Sequence, residues 1–269
     1  MGAGLAGMLY GRLGAIGSFS MAAAGFAGAA LGWVFIRRWF PDRPRKPKGR
    51  VGLRSFFDEF AEGLGYARAN KPLFFFALFG LAPGYAAHMA NVLLVGFSTD
   101  SLLAGAEGFG LLDMSYGIGA MVCGLGLPIF LQRFGTRATL PTVSLFLVAT
   151  SCLLVSFSQS LASAMLCFAG FALFGQLVGI LANTTLQREC EEEVVGRLGS
   201  LVNVVQYLLA PILVWGLGVY AELPRGFLLH EDSLRDGFVA IAIFYLLLSG
   251  ASILGTYPFL RRQEGRNEN

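Results

Sequence analysis

The stretch Arg37–Lys71, RRWFPDRPRKPKGRVGLRSFFDEFAEGLGYARANK, decides the fold, because it is the one long polar interruption in an otherwise apolar chain. It holds ten of the twenty Lys and Arg residues. Apolar runs long enough to cross a bilayer flank it on both sides, so the positive-inside rule reads it as a loop on the cytoplasmic face. Pro41, Pro44 and Pro47 make its first part extended and solvated. Leu53, Phe56, Phe57, Phe60 and Leu64 then recur at helical spacing, opposite Arg54, Asp58, Glu59 and Glu62. That pattern predicts an amphipathic helix at the membrane surface or against the bundle, with Ser55 and Asp58 as a capping pair.

The rest of the composition fits a membrane. Hydrophobic residues make up 55% of the chain and charged residues 14%, against about 25% charged in a soluble domain. The 36 Gly and 24 Phe suit closely packed helices in lipid. In that setting a net charge of +3 does not point to nucleic acid. Cys123, Cys152 and Cys167 lie in apolar runs and Cys190 in a polar loop, without metal-ligand spacing. No Ser/His/Asp set, Walker loop or dinucleotide fingerprint occurs, so the sequence offers no basis for an enzyme, a metal or a cofactor.

Leu13 to Ile36 carries no charge and no amide, and as a helix it spans about 36 Å. Arg37 and Arg38 follow this run, whereas a signal peptide carries its basic residues in front. Six further apolar runs lie near 73–97, 109–131, 138–158, 161–186, 198–220 and 237–260. Threading seven spans from a cytoplasmic linker places Arg133, Arg137, Arg188, Arg197, Arg261, Arg262 and Arg266 inside with it. Only Arg12, Arg225 and Arg235 fall outside. The expected protein is an all-α integral membrane protein of about seven transmembrane helices. Its expected parts are an N-terminal helix over 1–36, the basic linker over 37–71, a six-helix bundle over 72–260 and a cytoplasmic tail over 261–269. The expected location is the cell inner (plasma) membrane, with the N-terminus outside and the C-terminus in the cytoplasm.

Polar side chains divide the spans further. Tyr85, His88 and Asn91 lie in span two, Asp113 and Tyr116 in span three, Gln176 and Asn183 in span five, and Asn203, Gln206 and Tyr207 in span six. Spans one, four and seven carry no acid, His or amide. Polar groups in hydrocarbon normally face a bundle interior or a wet cavity. A period of three therefore makes two helices of each triplet line something while the third packs outside. Three-helix units of this kind build several transporter folds. Asp113 is the only carboxylate inside an expected span and lies near its outer end, where it reads equally as a wetted interfacial group or as a proton or cation site. His88 lies deeper and reads as a core histidine or a proton carrier. Asn91 falls within about one turn of the height of Asp113 and is a candidate partner for it. Gln176, Asn183, Asn203 and Gln206 either bind substrate or join helices at about 0.6 kcal/mol per contact.

Three segments carry a family resemblance: FFDEFAEGLGYARANKPL leading into span two, FLQRFGTR between spans three and four, and NTTLQRECEEEVVGRLGSLVNVVQYLLAP between spans five and six. With them the chain resembles the major facilitator superfamily, and most closely its drug- and siderophore-exporter branch. The family's loop pattern G-x-L-a-D-R-x-G-R-R places Gln132 at the Asp position, Arg133 at the Arg, Gly135 at the Gly and Arg137 at the final Arg. Pro128 replaces the first Gly and Thr136 an Arg. The resemblance implies gating roles for these residues and for Arg197, but a neutral Gln132 forms no ion pair. Topogenic charge is the equal alternative for the three arginines. GAGLAGMLYGRLG resembles the end of the family's helix five, with Ala3 at the Pro of the antiporter pattern.

The resemblance aligns this chain with the sixth helix, the central loop and helices seven to twelve. It implies one wall of a cavity, with five helices missing. The implied function is a proton-coupled exporter of amphipathic small molecules, or part of one. The alternative is a non-transporting accessory or structural subunit of a larger membrane complex. The implied partners are the lipid bilayer, a small amphipathic substrate, and either a protein carrying the missing N-terminal helices or a second copy of the chain. Reporter fusions test the orientation: a fusion after Arg50 and one at the C-terminus are both expected to read as cytoplasmic, and either one reading as external overturns it.

Overall fold

The computed structural model describes residues 2–39, 61, 64–65, 80–134, 140–189 and 192–255, and all regular structure among them is helical. In order these are α1 (Gly2–Trp39), α2 (Ala82–Gly96), α3 (Gly105–Phe134), α4 (Leu140–Phe157), α5 (Leu161–Glu189), α6 (Glu192–Ala221) and α7 (Ser233–Gly255). All except α2 are long and apolar enough to cross a membrane. The second expected span is described only from residue 80 onward, and α2 continues beyond its expected end through a π-helical turn, Phe97–Ser101. The predicted amphipathic helix near Leu53–Leu64 and the tail 261–269 lie outside the described residues, isolated positions of the linker apart.

Local sequence explains several boundaries. Pro83 sits in the first turn of α2, where a missing N–H leaves no helical bond unmade. Pro128 and Pro211 sit inside α3 and α6, where each removes one backbone bond. α1 is kinked at Gly14, whose φ of 66° is open to glycine. α1 meets the bundle along α3. Its apolar side chains nevertheless stay open beyond the kink, including Phe19, Phe26, Leu31 and Trp33.

In lipid the helices gain little from hiding apolar surface from one another, so close approach and interhelical hydrogen bonds decide packing. α3 and α5 meet at Gly119, where a Cβ would overlap the Ala169 carbonyl oxygen and stand 3.0 Å from Ala169 Cα. Gly108 lies against Leu161 on the same pair, so the two helices run parallel. Gly84 meets Gln206, and Gly218 meets Val92, which makes α2 and α6 parallel as well. Leu93 against Gly237 and Leu234 against Gly96 run α2 and α7 antiparallel. Each of these directions agrees with spans that alternate across a membrane.

α4 and α7 form the back of the bundle. Thr142 Oγ1 and Ser252 Oγ lie 2.8 Å apart, and Ser249 Oγ donates to the Thr142 carbonyl at 3.2 Å. The core between them and α2 holds Leu93, Phe97, Leu145, Val148, Phe238 and Ile241, with the Phe97 and Phe238 rings 5.0 Å apart edge to face. Of the spans expected to lack acid, His or amide, α4 and α7 are thus peripheral to the polar face but not to the core, whereas the α1 span is not buried. Half of the α7 span is buried, against 17% of the α6 span.

Two alanine substitutions test the α3–α5 contact. Helix propensity alone favours Gly→Ala by about 1 kcal/mol. Gly124, which has nothing within 4 Å, is expected to follow that preference. Gly119→Ala is expected instead to lower thermal stability in detergent, at an overpacking cost of about 1–3 kcal/mol. Equal responses at the two positions would show that the contact does not constrain the pair.

Candidate functional site

The sequence-selected polar residues fall into two groups. On the α3–α5 pair, the Tyr116 hydroxyl lies in hydrogen-bonding reach of Gln176 and within the field of Asp113 one turn away. The Tyr116 ring rests against Phe168 and Phe171, at 5.7 and 6.1 Å between centroids. Those two rings stack at 5.5 Å and fix the height of the hydroxyl. Asp113, Tyr116 and Gln176 are all half-buried, so the group borders an open face.

The second group follows the α2–α6 seam. Gly84 lets Gln206 approach so closely that a Cβ there would stand 2.5 Å from its Nε2. Next to it Tyr85 is 7% exposed, and its hydroxyl has no hydrogen-bond partner among the described residues. His88 and Asn91 follow at spacing three and are exposed. Asn203 on α6 is also exposed, and Gln206 is half-buried. Asn183 on α5 is exposed and gives its amide to the Gly179 carbonyl of its own helix at 2.9 Å, so it joins no second helix through that bond. Among the described residues no hydrogen bond connects Asn91 to Asp113.

Of the proposed gating residues, Gln132 is exposed in the last turn of α3. Arg133 and Arg197 belong to α3 and α6, and their side chains lie outside the description. Gly135 and Arg137 lie outside the described residues altogether. Among the described residues, no cluster of His, Cys, Asp and Glu is arranged to hold a metal ion.

The most heavily bonded polar group lies elsewhere. α7 begins at Ser233, four residues before the expected start, so Asp236 falls in its first turn and is fully buried. Asp113 is therefore not the only carboxylate within a span. Asp236 accepts the Tyr220 hydroxyl and the backbone N–H groups of Leu228, Leu229 and His230, at 2.5–2.9 Å. Four donors suit the ionised carboxylate, which has only acceptors. A side chain at Gly226 would enter this site, 2.7 Å from Asp236 Oδ2.

Beside it Arg235 donates to the Ser156 and Ser158 carbonyls at 3.1 and 2.6 Å and to the Ser101 carbonyl at 3.3 Å. It also pairs with Asp232 at 3.4 Å and lies over the Phe97 ring at 5.6 Å. Ser101 Oγ in turn donates to Asp232 at 2.6 Å. Arg235 thereby satisfies carbonyls left open at the ends of α2 and α4, where the helix dipole favours a cation. The sequence did contain a signal for this arrangement. Asp232 precedes Ser233 as an N-cap and accepts the Leu234 N–H at 3.0 Å, a pattern that starts α7 there.

The family model described as Major Facilitator Superfamily matches residues 1–214, the greater part of the chain. The chain belongs to the Major Facilitator Superfamily. This superfamily consists of membrane transporters and is typically non-enzymatic, so the helices are read as spanning a lipid bilayer. No curated protein and no solved structure matches the chain. The family match ends within α6, so the Arg235–Asp236 network lies beyond the matched residues of this superfamily member.

Replacing Arg235 by Gln is expected to lower stability in detergent by about 1.5–3 kcal/mol, the worth of hydrogen bonds from a charged donor. Arg235→Lys should recover only part of this, because an ammonium cannot span three carbonyls as a planar fork does. Full recovery with Lys would show that charge alone matters there.

Proposed function

We propose that this chain is a proton-coupled exporter of amphipathic small molecules, or part of one, in the drug- and siderophore-exporter branch. The observation that supports this reading is the placement of polar groups: α2, α3, α5 and α6 hold His88, Asn91, Asp113, Gln176, Asn183, Asn203 and Gln206 exposed or half-buried. An acidic residue costs about 2.5–3.5 kcal/mol at mid-bilayer on insertion scales and less near an interface, and with the amides and His88 beside it such a face is more stable against water, substrate or protein than against lipid tails. In our reading it forms one wall of a substrate cavity. The opposite wall comes from helices equivalent to those that precede α1 in the family, or from a second copy of this chain. Asp113 then carries the coupled proton, with His88 as a second titrating group, and Gln132 with Arg133, Gly135, Arg137 and Arg197 forms the cytoplasmic gate.

Isosteric amides keep packing and remove titration, which separates the two roles of these groups. In membrane vesicles holding the assembled protein, Asp113→Asn is expected to reduce pH-gradient-driven accumulation of a fluorescent amphipathic cation to background without loss of expression. Unchanged transport in the Asp113→Asn, His88→Gln double variant returns both residues to a structural role. Cysteines placed at Asn91 and Asn203 are expected to cross-link to the partner. A chain that transports as a lone 28.8 kDa monomer refutes the shared cavity. A chain that cross-links but never transports supports the accessory-subunit reading.

A further inference from the structure

The connection between α6 and α7 turns its backbone inward and its apolar side chains outward. Gly226 N–H donates to the Glu231 carbonyl at 2.9 Å, and Phe227 N–H to the Tyr220 hydroxyl at 3.0 Å. The next three N–H groups go to Asp236 at 2.6–2.9 Å. Five consecutive donors are thus engaged within the protein. Phe227, Leu228 and Leu229 meanwhile stand 75%, 49% and 56% exposed. Three adjacent apolar side chains in water are unfavourable in proportion to their area. A loop is normally kept out of the hydrocarbon boundary by unpaired backbone donors, and here those donors are already paired.

Two further observations say what covers this tip. The apolar side chains of Ile212, Trp215 and Val219 are exposed along α6 and lead up to Tyr220, whose ring contacts Phe227 at 6.4 Å. Ile212 lies nine residues beyond Asn203, about half a turn around the helix, so this strip faces away from the polar wall and toward lipid. The tip continues that lipid-facing strip. At the same end of the bundle Leu103 is 85% exposed with φ of 53°, and its neighbour Ser101 is tied to Asp232 and Arg235. A largely exposed leucine held in the left-handed region is a second apolar point on that rim.

We propose that Phe227, Leu228 and Leu229, with Leu103, form an interfacial anchor that beds in the bilayer leaflet at this end of the bundle, and that Asp236 holds the loop in the shape that permits it. The occupant is the boundary between lipid headgroups and acyl chains, where apolar side chains enter and the exposed Arg225 beside the tip meets lipid phosphate. The inference depends on the chain spanning a membrane and not on what it transports.

The test uses the full chain in liposomes of phosphatidylcholine and phosphatidylglycerol, with Cys123, Cys152, Cys167 and Cys190 replaced by alanine. Single cysteines at Phe227 and Leu103 carry a nitroxide label, with Ile212 as the lipid control and Glu222 as the aqueous control. Collision of the labels with oxygen is compared with collision with a water-soluble nickel chelate. Labels at Phe227 and Leu103 are expected to favour oxygen as the Ile212 label does. Asp236→Ala should shift the Phe227 label toward nickel and leave the Ile212 label unchanged. If Asp236→Ala does not fold, Tyr220→Phe, which removes a bond to the carboxylate and the partner of the Phe227 N–H, is expected to give a smaller shift of the same sign. Nickel-accessible loop labels beside a lipid-exposed Ile212 label overturn the anchor. Shielding from both reagents overturns it in favour of a protein contact, and a tip that stays in lipid in both variants overturns the part assigned to Asp236.

Discussion

Arg235 is the constraint on which one end of the bundle depends. A helix end in or near lipid leaves carbonyls that water cannot reach, and an unsatisfied group there is costly. One guanidinium answers for carbonyls at the ends of both α2 and α4 from the first turn of α7. Because the next residue, Asp236, gathers the loop that follows α6, two adjacent charged residues set the relation of four helices. The charges are opposite in sign, yet each is satisfied mainly by polar groups of the chain, so the arrangement does not rely on their attraction.

At the other contacts the bundle relies on small residues. Gly119 brings the α3 backbone onto that of α5, and Gly84 admits the Gln206 side chain between α2 and α6. Close approach of this kind places Tyr116 within reach of Gln176 and leaves Asp113 at the edge of an open face. The polar face is a product of the same packing. At the opposite seam α4 and α7 interlock through hydroxyl groups.

The helices were legible because a span is written in its own residues: the expected and observed limits of α4 differ by two residues or fewer at each end. The family resemblance was legible too, from the loop and linker segments. Asp236 escaped because the expected span began at residue 237, one position after it, and a hydropathy run excludes the charged turn that starts a helix. Arg235 appeared in the sequence only as a charge on one side of a membrane. Its partners Ser101, Ser156 and Ser158 are distant in the chain, and their roles are backbone roles that residue type does not reveal. Gly119 was one glycine among 36 until Ala169 stood against it. For the candidate site, the sequence supplied the residues but not the grouping. It paired Asn91 with Asp113 by height, whereas the structure sets Asp113 beside Tyr116.

The seam between α4 and α7 is fastened at both ends, by Thr142 with Ser249 and Ser252 at one and by Arg235 with Ser156 and Ser158 at the other. Two rods pinned at both ends resist both sliding and pivoting against each other. They behave as a single beam. Helices with a broken backbone ladder bend more easily: α3 and α6 have such breaks at Pro128 and Pro211, and α2 continues into a π-helical turn. Bending at those breaks would change the shape of the polar face, which α2, α3 and α6 carry together with α5, more readily than it would disturb the pinned seam of α4 and α7.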